Sequence, residues 1–187
     1  MSAERKDENV AIFLVGLPAT GKSTFLESLK KSADFNEVAR DPFVFSTDAM
    51  IHSLAEEEGT TYNQSFDDLY LRAEKIMFDL LAKAIEDGRD IIIDRTNLTV
   101  KSRKRFINRF SKEMAIMAIV MDWDLISDVE IHTRMEKRNT HKVPMNIIAS
   151  MRASATKPTL DEGFDQIVIC DPMSPHLNVI EVITPKN

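Results

Sequence analysis

The 187-residue sequence is poor in cysteine and contains no apolar stretch long enough to span a membrane. Its single cysteine, Cys170, cannot form an internal disulfide, and its position in the apolar run IVIC predicts a buried strand residue. The first nine residues, MSAERKDEN, are too charged for a signal peptide. We therefore expect a cytoplasmic protein with no disulfide partner and no membrane contact, in which residues 1–9 form a flexible charged tail.

Positive charge is also scarce, since the formal net charge is −6. This balance argues against a broad basic surface that grips long nucleic acid without specificity, although it leaves room for a local basic funnel. The chain lacks the N-K-x-D motif with which switch GTPases read guanine, and it is too short for a motor or a helicase. Its length and its hydrophobic content of 43% suit one globular domain, which we assign to residues 1–187.

Short apolar runs alternate with segments of helical periodicity along the chain. The runs predict strands at residues 11–16, 42–47, 90–94, 114–122 and 164–170, with a short edge strand at 178–184. Helices are predicted from Lys22 onward, over 66–88, 99–112 and 124–138, and again after Pro144. This alternation predicts an α/β fold with a doubly wound, mostly parallel sheet, whose ligands bind beyond the carboxyl ends of the strands.

The segment GLPATGKST follows the first predicted strand and opens the first predicted helix. It matches the phosphate-binding loop pattern G-x-x-x-x-G-K-[ST], in which glycines let backbone N–H groups approach phosphate oxygens. In this pattern Lys22 reaches the β- and γ-phosphates, and the Ser23 hydroxyl binds Mg²⁺. The motif therefore predicts a nucleoside triphosphate site, with ATP and Mg²⁺ as ligands. The predicted nucleotide contacts are Gly16, Ala19, Thr20, Gly21, Lys22, Ser23 and Thr24.

Two aspartates follow later strands and are candidates for the chemistry. Asp48 comes just beyond the second strand, which we expect to lie next to the phosphate loop, and it is placed to accept the proton of an attacking hydroxyl. Its alternative role is to cap the helix that follows. Asp94 ends the third strand, where a second acidic residue supports Mg²⁺. The alternative for this segment is a strand-end turn in which Thr96 or Asn97 caps the following helix, and Arg95 and Asn97 are secondary candidates for the site.

Two arginines, Arg134 and Arg138, lie one helical turn apart and therefore share a face. Arginines over a transferring γ-phosphate neutralise its developing charge. On spacing alone, a solvated basic face is the better interpretation of this charged segment, because most runs of charge are solvated.

Five segments in order resemble the kinase domain of the phage and animal 5′-hydroxyl polynucleotide kinases, within a wider group of small phage and bacterial P-loop kinases. The similarity runs from about Ala11 to Ile169 and is carried by GLPATGKSTFL, STDAMI, IIIDRTNLTVKSRKRF, RMEKRNTHKVP and KPTLDEGFDQI. The resemblance implies a P-loop kinase architecture with a helical lid at about 134–144, and it is compatible with a phage-encoded protein. It makes Asp48 the general base and Lys22, Arg134 and Arg138 catalytic groups around the γ-phosphate. It also suggests that residues 159–164 lie near the nucleotide base.

One position departs from the resembling family. The phage polynucleotide kinases have an arginine three residues after the base aspartate, where it engages the phosphate next to the 5′ hydroxyl, and this chain has Ile51 there. Either another basic residue substitutes, or the acceptor is not a 5′ end. The candidate substitutes are Arg72, Arg103 and Lys104.

The leading functional hypothesis is an ATP- and Mg²⁺-dependent kinase that phosphorylates a hydroxyl on nucleic acid, most simply a polynucleotide 5′-hydroxyl. A second hypothesis is a kinase for the hydroxymethyl group of 5-hydroxymethyluracil in phage DNA, with Tyr62, Phe66 and Tyr70 as candidates to stack on a flipped base. A third is a kinase for a nucleotide or another small metabolite, and a fourth is a non-catalytic, ATP-gated adaptor. The sequence does not choose DNA over RNA or set the oligomeric state.

Overall fold

The computed structural model describes residues 9–31, 39, 41–138, 142–174 and 178–185. Its strands are β1 Val10–Val15, β2 Phe43–Phe45, β3 Ile91–Asp94, β4 Ala115–Met121, β5 Gln166–Asp171 and β6 Asn178–Ile183. Its α-helices are α1 Lys22–Lys31, α2 Thr47–Glu57, α3 Tyr62–Glu86, α4 Val100–Ile107, α5 Asp128–Glu136 and α6 Met145–Ser154. Two 3₁₀ turns span Trp123–Leu125 and Leu160–Glu162.

The six strands form one sheet in the order β2-β3-β1-β4-β5-β6. The first five are parallel, and β6 pairs antiparallel with β5 at the edge. The α/β, mostly parallel prediction is therefore confirmed. The prediction that the second strand lies next to the phosphate loop is wrong. The loop follows β1, and β3 lies between β1 and β2. The carboxyl ends of β1 and β3 meet directly, with Leu14 opposite Asp94.

Side chains of β1 alternate between two hydrophobic layers, one on each face of the sheet, and all six residues of the strand are buried. On one face Phe13 makes edge-to-face contacts with Phe106, Phe110 and Phe164, at centroid distances of 6.2, 6.1 and 5.3 Å. Burial of β1 on both faces is typical of a central parallel strand covered by helices on either side. Cys170 is buried in the second layer, as predicted, and its burial raises the pKa of the thiol to about 11.

Capping residues explain where the helices differ from their predicted bounds. α3 begins at Tyr62 rather than 66, since the Gln64 side chain accepts a hydrogen bond of 3.1 Å from the Thr61 backbone N–H just before it. α5 begins only at Asp128, where the Ser127 hydroxyl accepts from the Glu130 N–H. Ser46, not Asp48, caps α2, because the Ser46 hydroxyl accepts from the Ala49 N–H at 3.3 Å. The capping interpretation of Asp48 is therefore wrong.

Two sequence predictions fall partly beyond the described residues. Residues 1–8 of the predicted tail lie outside them, and so do residues 139–141 of the proposed lid at about 134–144. In the described part of that segment, α5 ends at Glu136 and α6 begins at Met145, directly after Pro144. None of the helices in the described ranges has the length and apolar character needed to cross a membrane.

Candidate active site

The turn between β1 and α1 has the backbone conformation of a tight anion-binding loop. Gly16, Ala19 and Gly21 have positive φ angles of 156°, 64° and 98°. A Cβ atom at Gly16 would lie 2.7 Å from the Thr20 hydroxyl and 3.1 Å from Met121 Cβ, so only glycine fits there. At Gly21 no atom lies within 4 Å of such a Cβ, and the φ angle rather than crowding favours glycine. The loop therefore leaves open space beside Gly21, where α1 begins.

Lys22 points back into this loop. Its ammonium donates hydrogen bonds of 2.8 and 2.7 Å to the carbonyl oxygens of Gly16 and Leu17, and the residue is 8% exposed. Burial lowers the pKa of Lys22 to about 8, with the nearby Asp94 carboxylate opposing the shift. The next residues, Ser23 and Thr24, are exposed on the first turn of α1. The loop thus holds one cation inside and presents two hydroxyl side chains outside.

Asp94 and Asp48 bring two carboxylates to the same end of the sheet. Burial raises the pKa of Asp94, the Lys22 ammonium opposes that shift, and the negative charge of Asp48 adds to it. Both aspartates also hold up the pKa of Lys22 against burial. The three groups therefore lie within electrostatic reach of one another, although β2, the strand before Asp48, is not adjacent to β1.

Asp48 is oriented by a residue that sequence reasoning assigned to another role. The Tyr62 hydroxyl donates a 2.8 Å hydrogen bond to Asp48 Oδ1, and Tyr62 is only 5% exposed. Burial, followed by the charge of Asp48, raises the pKa of Tyr62 far above its ordinary value, so this phenol remains a hydrogen-bond donor. Tyr62 and Asp48 are 14 residues apart and lie on different helices, so no local sequence pattern predicts their contact. As a buried donor, Tyr62 is unsuited to stack on a flipped base.

The two lid arginines differ in their surroundings. Arg134 donates to Glu130 Oε1 at 2.7 Å, to the Pro172 carbonyl at 2.9 Å and to the Ala19 carbonyl at 3.4 Å. It therefore joins α5 to the phosphate loop and to the end of β5. The positive charge of Arg138 instead acts on Lys22, whose pKa it helps to lower, and on Asp94. Of the two, Arg138 is the one that adds positive charge to the cluster.

The β3–α4 connection is tied to the phosphate loop and to the ends of β1 and β3 by one main-chain hydrogen bond and by the side chain of Asn97. The Thr96 carbonyl accepts a 3.0 Å hydrogen bond from the Gly16 N–H. The Asn97 amide donates to the carbonyls of Leu14 at 2.8 Å and Ile93 at 3.2 Å, joining the ends of β1 and β3. Asn97 adopts φ = 50°, a left-handed conformation that asparagine tolerates better than most residues. Thr99, not Asn97, caps α4.

Two of the residues proposed from the sequence for substrate contacts are engaged in ion pairs within the protein. Arg103 is completely buried and donates two 2.7 Å hydrogen bonds to the Glu162 carboxylate, so it cannot meet an acceptor phosphate. Arg72 pairs with Glu58 at 2.6 Å on the surface. Residues 159–164 supply that Glu162 and a core ring, Phe164, and their proximity to a nucleotide base stays a prediction. Of the three proposed substitutes, only Lys104 is exposed with no acidic partner among the described residues.

Two curated proteins are similar to most of this chain. Transcription factor bHLH140 from Arabidopsis thaliana is 25% identical over 171 residues, which cover 88% of this chain and 16% of that protein. The bifunctional polynucleotide phosphatase/kinase of Schizosaccharomyces pombe is 20% identical over 167 residues, covering 88% of this chain and 34% of that protein. The chain thus spans only a minor part of the length of either relative.

Solved structures share the fold at low sequence identity. A chain from the PezAT toxin–antitoxin system of Streptococcus pneumoniae aligns with a TM-score of 0.63 and 17% identity, covering 97% of this chain and 73% of that one. A chain of the Pnkp1/Rnl/Hen1 RNA repair complex gives 0.57 and 20%, with 82% and 46% covered. A gluconokinase from Sinorhizobium meliloti gives 0.52 and 15%, with 91% and 86% covered.

The family comparison covers most of the sequence. The profile of the AAA domain family AAA_33 matches residues 12–158, a range that runs from β1 to the residues just after α6. The kinase-like P-loop fold of the structural neighbours and the polynucleotide phosphatase/kinase among the relatives agree with the resemblance found in the sequence. The chain therefore belongs to the AAA_33 family of AAA domains and has the fold of a P-loop kinase.

Proposed function

We propose that the protein is an ATP- and Mg²⁺-dependent kinase that transfers the γ-phosphate to a hydroxyl on nucleic acid, most simply the 5′-hydroxyl of a polynucleotide. One observation carries the proposal: Lys22, whose ammonium lies in the phosphate loop, and Asp94, at the adjoining end of β3, are close enough to each other and to Asp48 and Arg138 for these charges to shift their pKa values. A loop lysine and an arginine for the phosphates, with two carboxylates for metal and proton, are the groups that phosphoryl transfer to an alcohol needs.

In the proposed complex, the triphosphate lies over the loop backbone. The open space beside Gly21 and the first turn of α1 leave room for phosphate oxygens near backbone N–H groups. Lys22, now held by the Gly16 and Leu17 carbonyls, would extend toward the β- and γ-phosphates. Ala19, Thr20 and Thr24 would complete the contacts. Arg134, which binds the Ala19 carbonyl, would hold the loop against α5.

The oxygen donors present suit Mg²⁺, a hard cation that prefers carboxylate, hydroxyl, phosphate and water ligands. The exposed Ser23 hydroxyl and the Asp94 carboxylate would hold it. Within the described ranges, no group of three or more His, Cys, Asp or Glu side chains has metal-binding geometry. Phosphate and water oxygens would therefore complete the coordination shell, as is usual for this ion. When bound, Mg²⁺ supplies charge neutralisation to the phosphates.

Asp48 would act as the general base. Its Oδ1 accepts from Tyr62, so Oδ2 is the oxygen offered to the acceptor hydroxyl. The hydroxyl proton passes to this carboxylate as the alcohol oxygen bonds to the γ-phosphorus, and the bond to the β–γ bridging oxygen breaks to release ADP. Arg138 and Lys22 stabilise the charge that gathers on the phosphoryl oxygens.

The relatives and the structural neighbours favour different classes of acceptor. A polynucleotide is supported by the S. pombe phosphatase/kinase and by the fold shared with the RNA repair complex. The fold shared with the gluconokinase favours a small metabolite as the alternative acceptor. The experiment below also tests the hydroxymethyluracil and adaptor hypotheses.

In the deciding experiment, the protein is incubated with γ-labelled ATP and, in separate reactions, four acceptors: 5′-OH oligonucleotides, duplex containing 5-hydroxymethyluracil, free nucleosides, and gluconate. We expect label on the 5′-OH oligonucleotide and its loss when the 5′ end is blocked. The matched variant Asp48→Asn should keep ATP binding and lose transfer by about 10²-fold or more. Label that survives 5′ blocking would reject the 5′-hydroxyl acceptor, and label on no acceptor would reject the kinase proposal.

A further inference from the structure

A basic pocket lies beside the β3–α4 connection and is lined by residues that take no part in the proposed reaction. Its volume is about 270 Å³, and it is lined by three cationic side chains and several polar ones. The lining includes Arg95, Thr96, Asn97, Lys101, Ser102 and Arg105. In a chain with a net charge of −6, three cations around one cavity are a local concentration of the scarcer charge.

The pocket keeps a positive balance after its ion pairs are counted. Glu74 Oε1 accepts from Arg95 at 3.1 Å and from Arg105 at 2.9 Å, and Glu74 Oε2 accepts from Arg105 at 3.0 Å. Hydrogen bonding to Arg105 lowers the pKa of Glu74, which is therefore ionised. Lys101 has no acidic partner in the described part of the chain. Three cations against one carboxylate leave two positive charges, which suits an anion.

One face of α3 connects this pocket to the candidate base. Tyr62, Phe66, Tyr70 and Glu74 follow one another at intervals of four residues, so they share that face. Tyr62 binds Asp48 at one end, and the Tyr70 hydroxyl accepts from Arg95 at 3.0 Å at the other. The distance from Tyr62 to Glu74 along the helix is about 18 Å at 1.5 Å per residue.

Aromatic rings occupy the interval between these two ends. The ring centroids of Tyr62 and Phe66 lie 5.4 Å apart, and those of Phe66 and Tyr70 lie 5.6 Å apart. Phe66 and Tyr70 are partly exposed, whereas Tyr62 is buried. A line of aromatic rings ending at cationic side chains combines the two elements with which proteins hold single-stranded nucleic acid.

We infer that the pocket binds a backbone phosphate of a single-stranded polynucleotide acceptor whose reacting hydroxyl lies at Asp48, with the α3 aromatic face beneath the intervening nucleotides. This inference rests on the proposed function and names its substrate class. A stacked strand rises about 3.4 Å per nucleotide, so the roughly 18 Å from Tyr62 to Glu74 along α3 corresponds to about five stacked nucleotides. A mononucleotide or a sugar covers only a small part of this face.

The test compares Lys101→Ala with Lys83→Ala. Both lysines are exposed, but only Lys101 lines the pocket. Binding of a fluorescent 5′-OH decanucleotide is measured by anisotropy across a salt series, and binding of a dinucleotide is measured by competition. We expect Lys101→Ala to weaken decanucleotide binding several-fold and to reduce the slope of log K against log salt by about 0.7, the value for one phosphate contact with a single strand. Dinucleotide binding by the Lys101→Ala protein, and binding of both oligonucleotides by the Lys83→Ala protein, should match wild type.

Equal effects of the two substitutions would overturn the inference, because they would reflect a general basic surface rather than the pocket. It would also be overturned if inorganic phosphate bound in a Lys101-dependent manner while decanucleotide binding did not change, since the site would then serve a free anion. Phosphoryl transfer is measured in parallel. Lys101-dependent binding without transfer to any acceptor rejects the proposed function alone. Normal transfer that Lys101→Ala leaves unchanged at every acceptor length rejects the pocket alone.

Discussion

Replacing Arg103 by methionine should be one of the most destabilising single changes in this protein. The guanidinium is 0% exposed. It donates two 2.7 Å hydrogen bonds to the Glu162 carboxylate and 2.9 Å hydrogen bonds to the carbonyls of Asn97 and Thr156. A single side chain thus joins the β3–α4 connection, the segment after α6 and the turn at residues 160–162.

The magnitude follows from what the substitution leaves behind. Glu162 would remain as a buried carboxylate, 8% exposed, with no cation beside it. Removing one partner of a buried ion pair costs about 3–5 kcal/mol. The two carbonyls that lose their donors belong to the same perturbation and favour the upper half of that range. Since domains are typically stable by about 5–15 kcal/mol, the loss is a large fraction of the total.

Urea unfolding measures this loss directly, because the chain has a single tryptophan, Trp123, which is buried and reports on the core. The control is Arg72→Met, which breaks an equally short pair with Glu58 on the surface and should cost less than about 1 kcal/mol. Substituting Glu162→Leu together with Arg103→Met should recover part of the stability, because no buried charge is then left unpaired. Equal losses for Arg103→Met and Arg72→Met would refute the reasoning.

Three further predictions concern the loop and the base. Burial lowers the pKa of Lys22 to about 8, so its ammonium loses its proton, and its attraction for phosphate, as the pH rises through that value. ATP affinity, measured by calorimetric titration, should therefore fall about tenfold between pH 7 and 9. The Lys22→Arg protein should not show this pH dependence, because arginine stays charged over the whole range. A flat wild-type profile would contradict it. Tyr62→Phe removes the hydrogen-bond donor to Asp48 but keeps the ring, so kcat should fall about tenfold while ATP affinity is unchanged. The control is Tyr70→Phe, which should keep kcat because the Tyr70 hydroxyl contacts Arg95 and not Asp48. Equal kcat values for the two variants would show that Tyr62 does not position Asp48. Asn97→Ala should lower the free energy of unfolding in urea by about 2–4 kcal/mol, because it removes hydrogen bonds to two strand ends and places alanine at φ = 50°. Asn97→Gly should lower it by less, because glycine adopts this φ angle without strain. The reverse order of the two losses would contradict the strain argument.

The sequence was most informative where one segment determines its own structure. The apolar run of β1 and the glycine spacing after it predict a buried strand and a phosphate loop without knowledge of any partner. Helix bounds were less accurate, because hydrophobic periodicity does not show which hydroxyl makes the cap, as Ser46 does in place of Asp48.

Contacts between distant residues could not be predicted in the same way. Arg103 and Glu162 are 59 positions apart, and each taken alone has the character of an ordinary surface charge. The strand order β2-β3-β1 could not be predicted for the same reason. It depends on how the crossover connections pass over the sheet, and the sequence of a single strand does not show this. The bond from Tyr62 to Asp48 depends on how α3 packs on α2, and helical periodicity fixes only which face of α3 is apolar.

Ile51 shows how one departure from the resembling family agrees with the rest of the site. Ile51 is 0% exposed and packs in a hydrophobic cluster with Leu54 and Tyr62, so an arginine at this position would carry its charge into the core between α2 and α3. The next residue, the exposed His52, lies with its ring 4.5 Å from that of Tyr62. Cations of the pocket instead lie at the far end of the α3 face, around Arg95. In the proposed reaction, the acceptor strand is therefore held by a phosphate several nucleotides from the reacting hydroxyl, and strand length replaces the adjacent phosphate as the feature that the site selects.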